Sequence, residues 1–240
     1  MKRVTSALLA GLLLGLCACG NNQTAQPTET QKKTYAGVSA TFVGDSITNG
    51  AKLNDGEQTY WQITAQKLKM KEPVGLGVNG STYSTKSDFG LEHDPLPTRY
   101  QAIGQTDLIF IALGSNDFGR NTPLGTVEDQ EDISFCGAIN FVLNKLQTQC
   151  PESKIILMTP IIRHDKTAND LGLTLQDYIA KIKEVAAARN ILVADIHTPT
   201  ADKMPNGVFA DTVHPDRFGH QIMAEALQAW LEENIDSVLD

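Results

Sequence analysis

Phe42-Val-Gly-Asp-Ser-Ile-Thr48 is the stretch from which the fold of this chain can be worked out. An apolar, β-rich run from Ser39 to Val43 ends here in Gly44-Asp45-Ser46. Open α/β sheets place their chemistry beyond the carboxyl ends of their strands. Ser46 therefore stands where a reactive side chain is expected, although on its own it is a serine in a turn.

The rest of the chain alternates strand-like apolar runs with amphipathic helical patterns. The strand-like runs are Ala40–Val43, Pro73–Val78, Leu108–Leu113, Lys154–Thr159 and Ile191–Asp195. The apolar helical stripes are Trp61, Ala65 and Leu68; Ile133, Cys136, Ile139, Val142, Leu143 and Leu146; Leu175, Tyr178, Ile179, Ile182 and Val185; and Phe218, Ile222, Ala226, Trp230 and Leu231. Because such stripes cover sheets, the pattern predicts one α/β domain with a mainly parallel sheet, helices on both faces and right-handed crossovers.

Four polar clusters follow predicted strands, where a parallel sheet presents them at one edge. They are Gly44-Asp45-Ser46 after the first strand, Val78-Asn79-Gly80-Ser81 after the second, Gly114-Ser115-Asn116-Asp117 after the third, and Asp211-Thr-Val-His214-Pro215 in the loop beyond the fifth. Four clusters converging on one edge are much less expected by chance than any one of them. We therefore treat them as one candidate site.

The residues of this candidate site fit acyl transfer through a serine. A serine hydroxyl is a weak nucleophile that needs an adjacent base, and His214 can accept its proton. Asp211, three residues earlier, can orient the imidazole and stabilise its positive form. The backbone N–H groups of Ser46 and Gly80 and the side-chain amide of Asn116 can donate to the oxyanion of a tetrahedral intermediate.

Together these clusters resemble the sequence blocks of the SGNH (GDSL-type) hydrolase superfamily. Gly44-Asp45-Ser46 followed by Ile-Thr resembles the block of the nucleophile, Gly80 the glycine of the second block, Asn116 the oxyanion asparagine, and Asp211 with His214 the acid and base. The resemblance extends from about Ser39 to the last helix. It implies a three-layer, flavodoxin-like α/β fold with a five-stranded parallel sheet of order 2-1-3-4-5. It also implies an esterase or lipase-like activity that requires no metal or other cofactor.

The glycine of the second block has alternatives. Gly75 and Gly77 lie in the same stretch as Gly80. We choose Gly80 because it stands just beyond the predicted strand, with small polar residues after it.

Other residues at the same edge offer competing interpretations. His197 is an alternative base, because Asp195 and His197 lie on one side of an extended chain; the other interpretation is packing at the strand end. His220 is interpreted as a surface or packing histidine. Arg163, after the fourth strand, is a hypothetical contact for a polar or anionic part of a substrate.

The region from Ser81 to Gly104 contains residue types that can ligate metals, namely Asp88, Glu92, His93 and Asp94. We interpret it as a solvated loop at the substrate entrance rather than a metal site, with Tyr83, Phe89 and Tyr100 lining that entrance.

The first 18 residues have the features of an export signal. Lys2 and Arg3 precede an apolar run, Leu8 to Leu16, that is too short for a transmembrane helix. Leu16-Cys-Ala-Cys19 resembles the lipobox of bacterial lipoproteins, which implies cleavage after Ala18 and lipidation of Cys19. The alternative is an ordinary signal peptide with two incidental cysteines.

The remaining chain is predicted to consist of a tether and one domain. Residues 19–35 are polar and lack apolar periodicity, as flexible tethers do. Residues 36–240 then form the hydrolase domain. With a lipid on Cys19, the protein is expected outside the bacterial cytoplasm as a membrane-anchored lipoprotein of the cell envelope.

Charge limits the partners of the domain. The formal net charge is −8, and loss of Lys2 and Arg3 with the signal makes it −8 − 2 = −10. An acidic chain without basic clusters argues against nucleic acid as a partner. Any membrane association is then expected to come from the anchor alone, and the oligomeric state is left open.

Two cysteines, Cys136 and Cys150, remain in the predicted domain. We place both on one helix, where a separation of fourteen residues corresponds to about 21 Å. A disulfide needs Cα atoms within about 7 Å. Both thiols are therefore expected to be unpaired.

The sequence thus predicts a serine esterase acting on small-molecule or glycan esters, with short acyl groups such as the acetyl esters of carbohydrates as the expected substrates. A lysophospholipase or thioesterase-like lipase and a carbohydrate O-acyltransferase would use the same residues. The alternative of another class is a noncatalytic surface lipoprotein that binds glycan.

Overall fold

Five parallel strands form the centre of the structure. The computed structural model describes residues 33–88 and 91–240. Its strands are β1 (Ser39–Gly44), β2 (Lys71–Gly77), β3 (Leu108–Ala112), β4 (Lys154–Met158) and β5 (Leu192–Ala194). They lie in the order β2-β1-β3-β4-β5, with parallel pairing between neighbours. The predicted α/β fold and strand order are confirmed.

Helices connect these strands. They are α1 (Ser46–Asn49), α2 (Tyr60–Leu68), α3 (Leu96–Arg99), α4 (Ser115–Gly119), α5 (Phe135–Gln149), α6 (Leu175–Arg189), α7 (His197–Thr200), α8 (Arg217–Glu233) and α9 (Ile235–Leu239). The long helices begin at residues that satisfy their first N–H groups. The Thr174 hydroxyl and the Asp216 carboxylate, for example, accept hydrogen bonds at the starts of α6 and α8.

The sheet carries a hydrophobic layer on each face. Alternate residues of β1 and β3, such as Val43 and Ile111, pack with α5 and α6. The intervening residues, such as Phe42 and Phe110, pack with α2 and α8, and their rings stack with centroids 4.8 Å apart. The period of two along each strand sends side chains to opposite faces, which gives the three layers.

Two apolar residues assigned to core stripes lie outside the core. Phe218 is 54% exposed, because α8 turns the neighbouring Gly219 and His220 toward the sheet. Ile133 is 50% exposed and precedes Ser134, the N-terminal cap of α5. The prediction was wrong for both residues. A broad apolar stripe does not show how a helix is rotated about its own axis, nor at which residue the helix begins. It therefore cannot decide whether a residue at the edge of the stripe is buried.

Both cysteines of the domain are unpaired, as predicted. Cys136 lies within α5 and Cys150 directly follows its last residue, and both are buried free thiols. Burial raises the pKa of the Cys136 thiol to about 12. At neutral pH that thiol is a packing group rather than a nucleophile.

The compact unit begins at Lys33, three residues before the predicted boundary at Ala36. Tyr35 is 2% exposed, and its hydroxyl donates to the carbonyl of Leu231 at 2.8 Å. Cys19 and the predicted signal lie outside the described residues. Within residues 33–88 and 91–240, none of the helices combines the length and apolar character needed to cross a bilayer.

Candidate active site

Ser46 is presented by a tight turn between β1 and α1. It is the first residue of α1, and the Asp45 carboxylate caps that helix by accepting from the Ile47 N–H at 2.9 Å. A Cβ on Gly44 would collide with the Thr48 side chain. Glycine at position 44 therefore allows α1 to fold back against the strand, which brings Ser46 to the carboxyl edge of the sheet.

Ser46, His214 and Asp211 form a continuous hydrogen-bonded relay. The Ser46 Oγ lies 3.0 Å from His214 Nε2, and His214 Nδ1 lies 2.8 Å from Asp211 Oδ2. The other Asp211 oxygen accepts from the backbone N–H groups of Val213 and His214 at 2.8 and 2.7 Å. The structure brings together the three residues that the sequence assigned to nucleophile, base and acid.

The pKa of Asp211 keeps its carboxyl ionised over most of the pH range. Partial burial raises this pKa, but the hydrogen bonds from the His214 backbone and ring and from the Val213 backbone outweigh burial and lower it to about 2. An ionised carboxylate holds Nδ1 protonated and leaves Nε2 of a neutral ring free to accept the proton of Ser46.

The loop that carries Asp211 and His214 is held in place by two backbone hydrogen bonds. Ala210 donates to the carbonyl of His214 at 2.9 Å, and His164 donates to the carbonyl of Thr212 at 2.7 Å. The His164 ring lies edge-on to Phe209, with centroids 4.8 Å apart. The segment after β4 thus positions the residues after β5.

Gly80 and Asn116 lie beside Ser46 in the same cavity. Asn116 belongs to α4, and its side-chain amide donates to the carbonyl of Ser81 at 3.0 Å. Gly80 has a left-handed backbone with φ +77°, and a Cβ there would lie 2.6 Å from Arg120 and 2.8 Å from His93. The three residues that carry the proposed oxyanion donors therefore line the same cavity.

That space is an open cavity of about 480 Å³. The described residues that line it come from the loops after β1, β2, β3, β4 and β5: Ser46, Ala51, Lys52, Asn79, Gly80, His93, Asn116, Gly119, Arg120, Arg163, Val213 and His214. A volume of this size can hold a small-molecule ligand.

Comparison with known proteins now gives the family. The profile of the GDSL-like lipase/acylhydrolase family matches residues 42–222. The chain belongs to this family. Membership identifies it as a carboxylic ester hydrolase, so the alternative of a noncatalytic glycan binder is set aside.

Several known proteins resemble this chain along most of its length. An acetylxylan esterase of Geobacillus stearothermophilus is 25% identical over 217 residues, which cover 81% of this chain and 94% of that enzyme. A protein from Lactobacillus plantarum has a TM-score of 0.72 at 27% identity, covering 84% of this chain and 99% of its own. A catalytic mutant of an acetylxylan esterase from Geobacillus stearothermophilus has a TM-score of 0.61 at 20% identity, covering 83% of this chain and 96% of its own.

The alternative glycines of the second block have packing roles in this GDSL-like fold. A Cβ on Gly75 would collide with the ring of Trp61, and one on Gly77 with the backbone at Asn49. Gly80, by contrast, borders the cavity. The geometry therefore favours Gly80 among the three, as the sequence analysis did.

The alternative base is engaged elsewhere. His197 is buried, with Nδ1 3.0 Å from the carbonyl of Pro160 and Nε2 2.6 Å from the Gln176 amide. Asp195 instead contacts Lys183 at 2.6 Å and the Thr198 hydroxyl at 2.9 Å. These two residues do not form a dyad, and His197 packs at the end of the strand.

His220 is a packing residue and is fully buried. Its Nδ1 accepts from the backbone N–H of Tyr60 at 3.1 Å, and its ring lies parallel to the Tyr60 ring. Burial lowers the pKa of His220 to about 4, so the ring is neutral at physiological pH.

The loop from Ser81 to Gly104 was expected to line the substrate entrance with three aromatic side chains. Tyr83 is buried and packs edge-on against Phe135, so the prediction that it lines the entrance was wrong; Phe89 lies outside the described residues. Tyr100 contacts Phe141 on the surface of α5. Within the described part of the chain, no group of three or more metal-ligating side chains is found. His93 borders the catalytic cavity instead.

Arg163 lines the cavity but already has a carboxylate partner. Its Nε and Nη2 donate to both oxygens of Asp165 at 2.7 and 2.6 Å, and Nη1 donates to the carbonyl of Ser115 at 2.6 Å. Arg163 thereby fixes the start of α4, the helix that carries Asn116.

Arg99 and Asp117 organise the site and were missed from the sequence. Arg99 donates to the carbonyls of Gly44 and Leu76 at 2.9 and 3.1 Å, and so joins the ends of β1 and β2. The buried carboxylate of Asp117 accepts from the backbone of the loop after Gly80. In the sequence, the one sign that Asp117 belongs to the site was its place in the cluster Gly114-Ser-Asn-Asp117. No sequence pattern pointed to Arg99.

Proposed function

We propose that this protein is a serine esterase that hydrolyses small carboxylic esters through an acyl-enzyme. The observation that carries the proposal is the relay from Ser46 through His214 to Asp211, with contacts of 3.0 and 2.8 Å. In this relay the hydroxyl has a base to accept its proton, and the base has a carboxylate that fixes its tautomer.

In the first half of the proposed reaction, Ser46 Oγ attacks the ester carbonyl carbon while His214 Nε2 takes the hydroxyl proton. The carbonyl oxygen becomes an oxyanion in the tetrahedral intermediate. When the intermediate collapses, the bond to the alcohol oxygen breaks, and His214 gives its proton to that oxygen. The products of this half are a free alcohol and an acyl group bonded to Ser46.

In the second half, water attacks the acyl carbon and passes a proton to His214 Nε2. The new tetrahedral intermediate expels Ser46 Oγ, which recovers that proton. The carboxylic acid leaves, and the enzyme is restored. Throughout, the ionised Asp211 stabilises the positive ring of His214.

Three donors support the oxyanion in this proposal. The N–H of the first residue of a helix has no acceptor within that helix, which makes the Ser46 N–H available. The Gly80 N–H and the Asn116 amide border the same cavity. The amide nitrogen of asparagine carries two hydrogens. In Asn116 this nitrogen donates to the carbonyl of Ser81 at 3.0 Å and makes a long contact of 3.5 Å with the Asp45 carboxylate, which an oxyanion would replace.

Short acyl groups, including acetyl esters of carbohydrates, are the proposed substrates. Support comes from the open cavity of about 480 Å³ with its polar lining and from the 25% identity to an acetylxylan esterase. Lipase-like or thioesterase-like cleavage and acyl transfer to a sugar hydroxyl would use the same three residues.

A panel of esters with rising acyl length, acetylated glycans among them, tests the proposal. Preference for acetyl over octanoyl supports it, and the reverse preference would replace it by a lipase. Ser46→Ala should abolish turnover, whereas Ser237→Ala, on the exposed face of α9, should not. Normal turnover by Ser46→Ala would exclude the mechanism, and acylated sugar among the products would show transfer.

We also propose that the chain is an envelope lipoprotein held by a lipid on Cys19, which lies outside the described residues. The support is the Leu16-Cys-Ala-Cys19 pattern after a short apolar run. Cys19→Ala should release the protein from the membrane fraction and prevent incorporation of a radiolabelled fatty acid. Membrane retention and labelling that survive this change would contradict the proposal.

A further inference from the structure

A second pocket adjoins the catalytic cavity. It lies between the loop after α1, the start of α2 and the end of β2, and its volume is about 310 Å³. We call it the polar pocket, and its lining includes Asn49, Asn54, Asp55, Glu57, Trp61 and Gly75. Because pockets for small ligands have volumes of about 300–1,000 Å³, this space is large enough for a small ring.

A pair of asparagines forms the wall between the two spaces. Asn79 lines the catalytic cavity, and Asn49 lines the polar pocket. The Asn49 Nδ2 donates to Asn79 Oδ1 at 2.9 Å. Asn49 is the last residue of α1, three positions after Ser46, which corresponds to a rise of about 4.5 Å along the helix. A substrate that extends beyond Ser46 can therefore pass over this wall into the polar pocket.

Trp61 gives the polar pocket a fixed aromatic surface. Its indole N–H donates to the carbonyl of Thr48 at 2.9 Å, and its ring stacks on Phe42 with centroids 5.7 Å apart. A Cβ on Gly75 would lie 2.3 Å from the indole, so glycine at position 75 allows the ring to lie against β2. The side chain of Trp61 is only partly buried. A ring already held in place can pack on the apolar C–H face of a sugar with little loss of conformational entropy.

The loop after α1 supplies hydrogen-bond acceptors to the same pocket. The Asp55 side chain is exposed and has no hydrogen bond or ion pair within the described part of the chain. Glu57 Oε2 accepts from the backbone and side chain of Asn54 at 2.8 and 3.2 Å, which fixes the shape of this loop. Ionised carboxylates only accept hydrogen bonds, and sugar hydroxyls can donate to them.

The charge of the polar pocket restricts the kind of ligand that it can bind. Two carboxylates, Asp55 and Glu57, line it, and among the described lining residues there is no lysine, arginine or histidine. An anionic sugar or a phosphate would meet charges of its own sign there. A neutral sugar instead offers hydroxyls to the carboxylates and a C–H face to the indole.

From this arrangement we propose that the polar pocket binds a neutral sugar ring of a glycan whose esterified ring lies at Ser46. This inference rests on the proposed esterase function and extends it to esters carried by oligosaccharides. Trp61 packs against the C–H face of the bound ring, and Asp55 accepts hydrogen bonds from its hydroxyls. A monosaccharide ester cannot fill both spaces, so acetylated oligosaccharides are expected to be the better substrates.

Binding to an inactive protein tests the pocket without catalysis. Ser46→Ala is titrated with the unmodified tetrasaccharides of xylose, glucose and mannose, and with tetragalacturonate as the anionic control. The readout is the NMR signal of the Trp61 indole N–H, assigned with Trp230→Phe; Trp230, in α8, is the internal control. We expect at least one neutral tetrasaccharide to shift the Trp61 signal alone. No shift with any neutral sugar, an equal shift with tetragalacturonate, or equal shifts of both indoles would overturn the inference.

Kinetics of the active protein test the role of Asp55. Asp55→Ala should raise KM for an acetylated tetrasaccharide by about fivefold or more, because a hydrogen bond to a charged group is lost. Its kcat, and its hydrolysis of 4-nitrophenyl acetate, should stay unchanged. Asp202→Ala, on an exposed turn, is the matched control. An unchanged KM in Asp55→Ala, or an equal rise in Asp202→Ala, would contradict the role of Asp55.

The two experiments separate this inference from the esterase proposal. Hydrolysis of 4-nitrophenyl acetate without a shift of the Trp61 signal would reject the sugar pocket and leave the esterase proposal intact. A shift of the Trp61 signal in a protein that hydrolyses no ester would support the pocket and reject the esterase proposal.

Discussion

Asp117 and Tyr83 are joined by a buried hydrogen bond in which the backbone N–H of Tyr83 donates to the Asp117 carboxylate at 2.9 Å. The second carboxylate oxygen accepts from the backbone of Ser84 at 3.1 Å. Asp117 is fully buried and follows Asn116 in the chain. One short helix thus supplies a proposed oxyanion donor and also anchors the loop that carries Gly80.

The first prediction concerns this anchor. Asp117→Asn replaces one of the two carboxylate oxygens by an NH2 group. That group cannot accept a hydrogen bond, so the buried backbone N–H of either Tyr83 or Ser84 loses its acceptor. We expect the free energy of unfolding to fall by about 1–3 kcal/mol and kcat/KM to fall with it. Urea unfolding and ester kinetics measure the two effects. Asp202→Asn, on an exposed turn, is the control; equal effects in both variants would contradict the anchoring role.

The second prediction is a dependence of stability on pH. Burial raises the pKa of Asp117 to about 7 and that of Asp45 to about 6, above the ordinary 3.8. Between the ordinary and the raised pKa values, these two carboxyls bind more protons in the folded protein than in the unfolded chain. The contribution of these two groups to stability therefore falls as pH rises through that window.

We accordingly expect a higher urea midpoint at about pH 5 than at about pH 8. Asp117→Asn cannot titrate at this position, so its midpoint should vary less over the same range. A midpoint that rises with pH in the wild type, or an unchanged slope in the variant, would show that these carboxyls do not control the effect.

The third prediction concerns Arg99, which joins the carbonyl ends of two strands. A lysine side chain has one ammonium nitrogen in place of the two terminal nitrogens with which the Arg99 guanidinium donates to the carbonyls of Gly44 and Leu76. We expect Arg99→Lys to lower the free energy of unfolding by about 2–3 kcal/mol and to lower kcat, because Gly44 leads directly into Ser46. Arg217→Lys, exposed at the start of α8, is the control. Wild-type stability and kcat in Arg99→Lys would refute the assignment.

The fourth prediction compares two glycines with left-handed backbones. Gly80 (φ +77°) and Gly37 (φ +84°) both have left-handed backbones, which residues with a side chain disfavour. Changing either glycine to alanine should therefore lower the free energy of unfolding by about 1 kcal/mol. A Cβ on Gly37 meets nothing within 4 Å, whereas one on Gly80 displaces Arg120 and His93. Kinetics and urea unfolding together should therefore show that only Gly80→Ala loses kcat/KM. Equal kinetic losses would exclude a local role for Gly80.

Much of this arrangement was predictable because it follows short-range patterns. Each strand is an apolar run, and each parallel strand ends at the same edge. Polar residues directly after strands, such as Ser46 and Asn116, were therefore expected to meet. His214 and Asp211 were found because three residues of spacing in one loop let a carboxylate turn back onto a ring.

The residues that were missed act through long-range contacts that leave no local pattern. Arg99 is 55 positions from Gly44, whose carbonyl it binds. Lys52 and Arg120 line the cavity from two separate loops, after β1 and β3. Phe218 looked like a core residue, but helix α8 turns Gly219 and His220 inward instead. Helix rotation depends on the packing of the whole face, which a stripe alone does not fix.

The last prediction separates the two histidines at the carboxyl edge. His214 contacts Ser46 and Asp211, whereas His197 contacts Pro160 and Gln176. His214→Asn should lower kcat by about 1,000-fold or more, because Ser46 loses its base. His197→Asn should lower the urea midpoint, since a buried contact to Pro160 and a partly buried contact to Gln176 are lost, while kcat at a permissive temperature stays within about twofold. Steady-state kinetics on an acetyl ester measure both; the opposite pattern would transfer the role of base to His197.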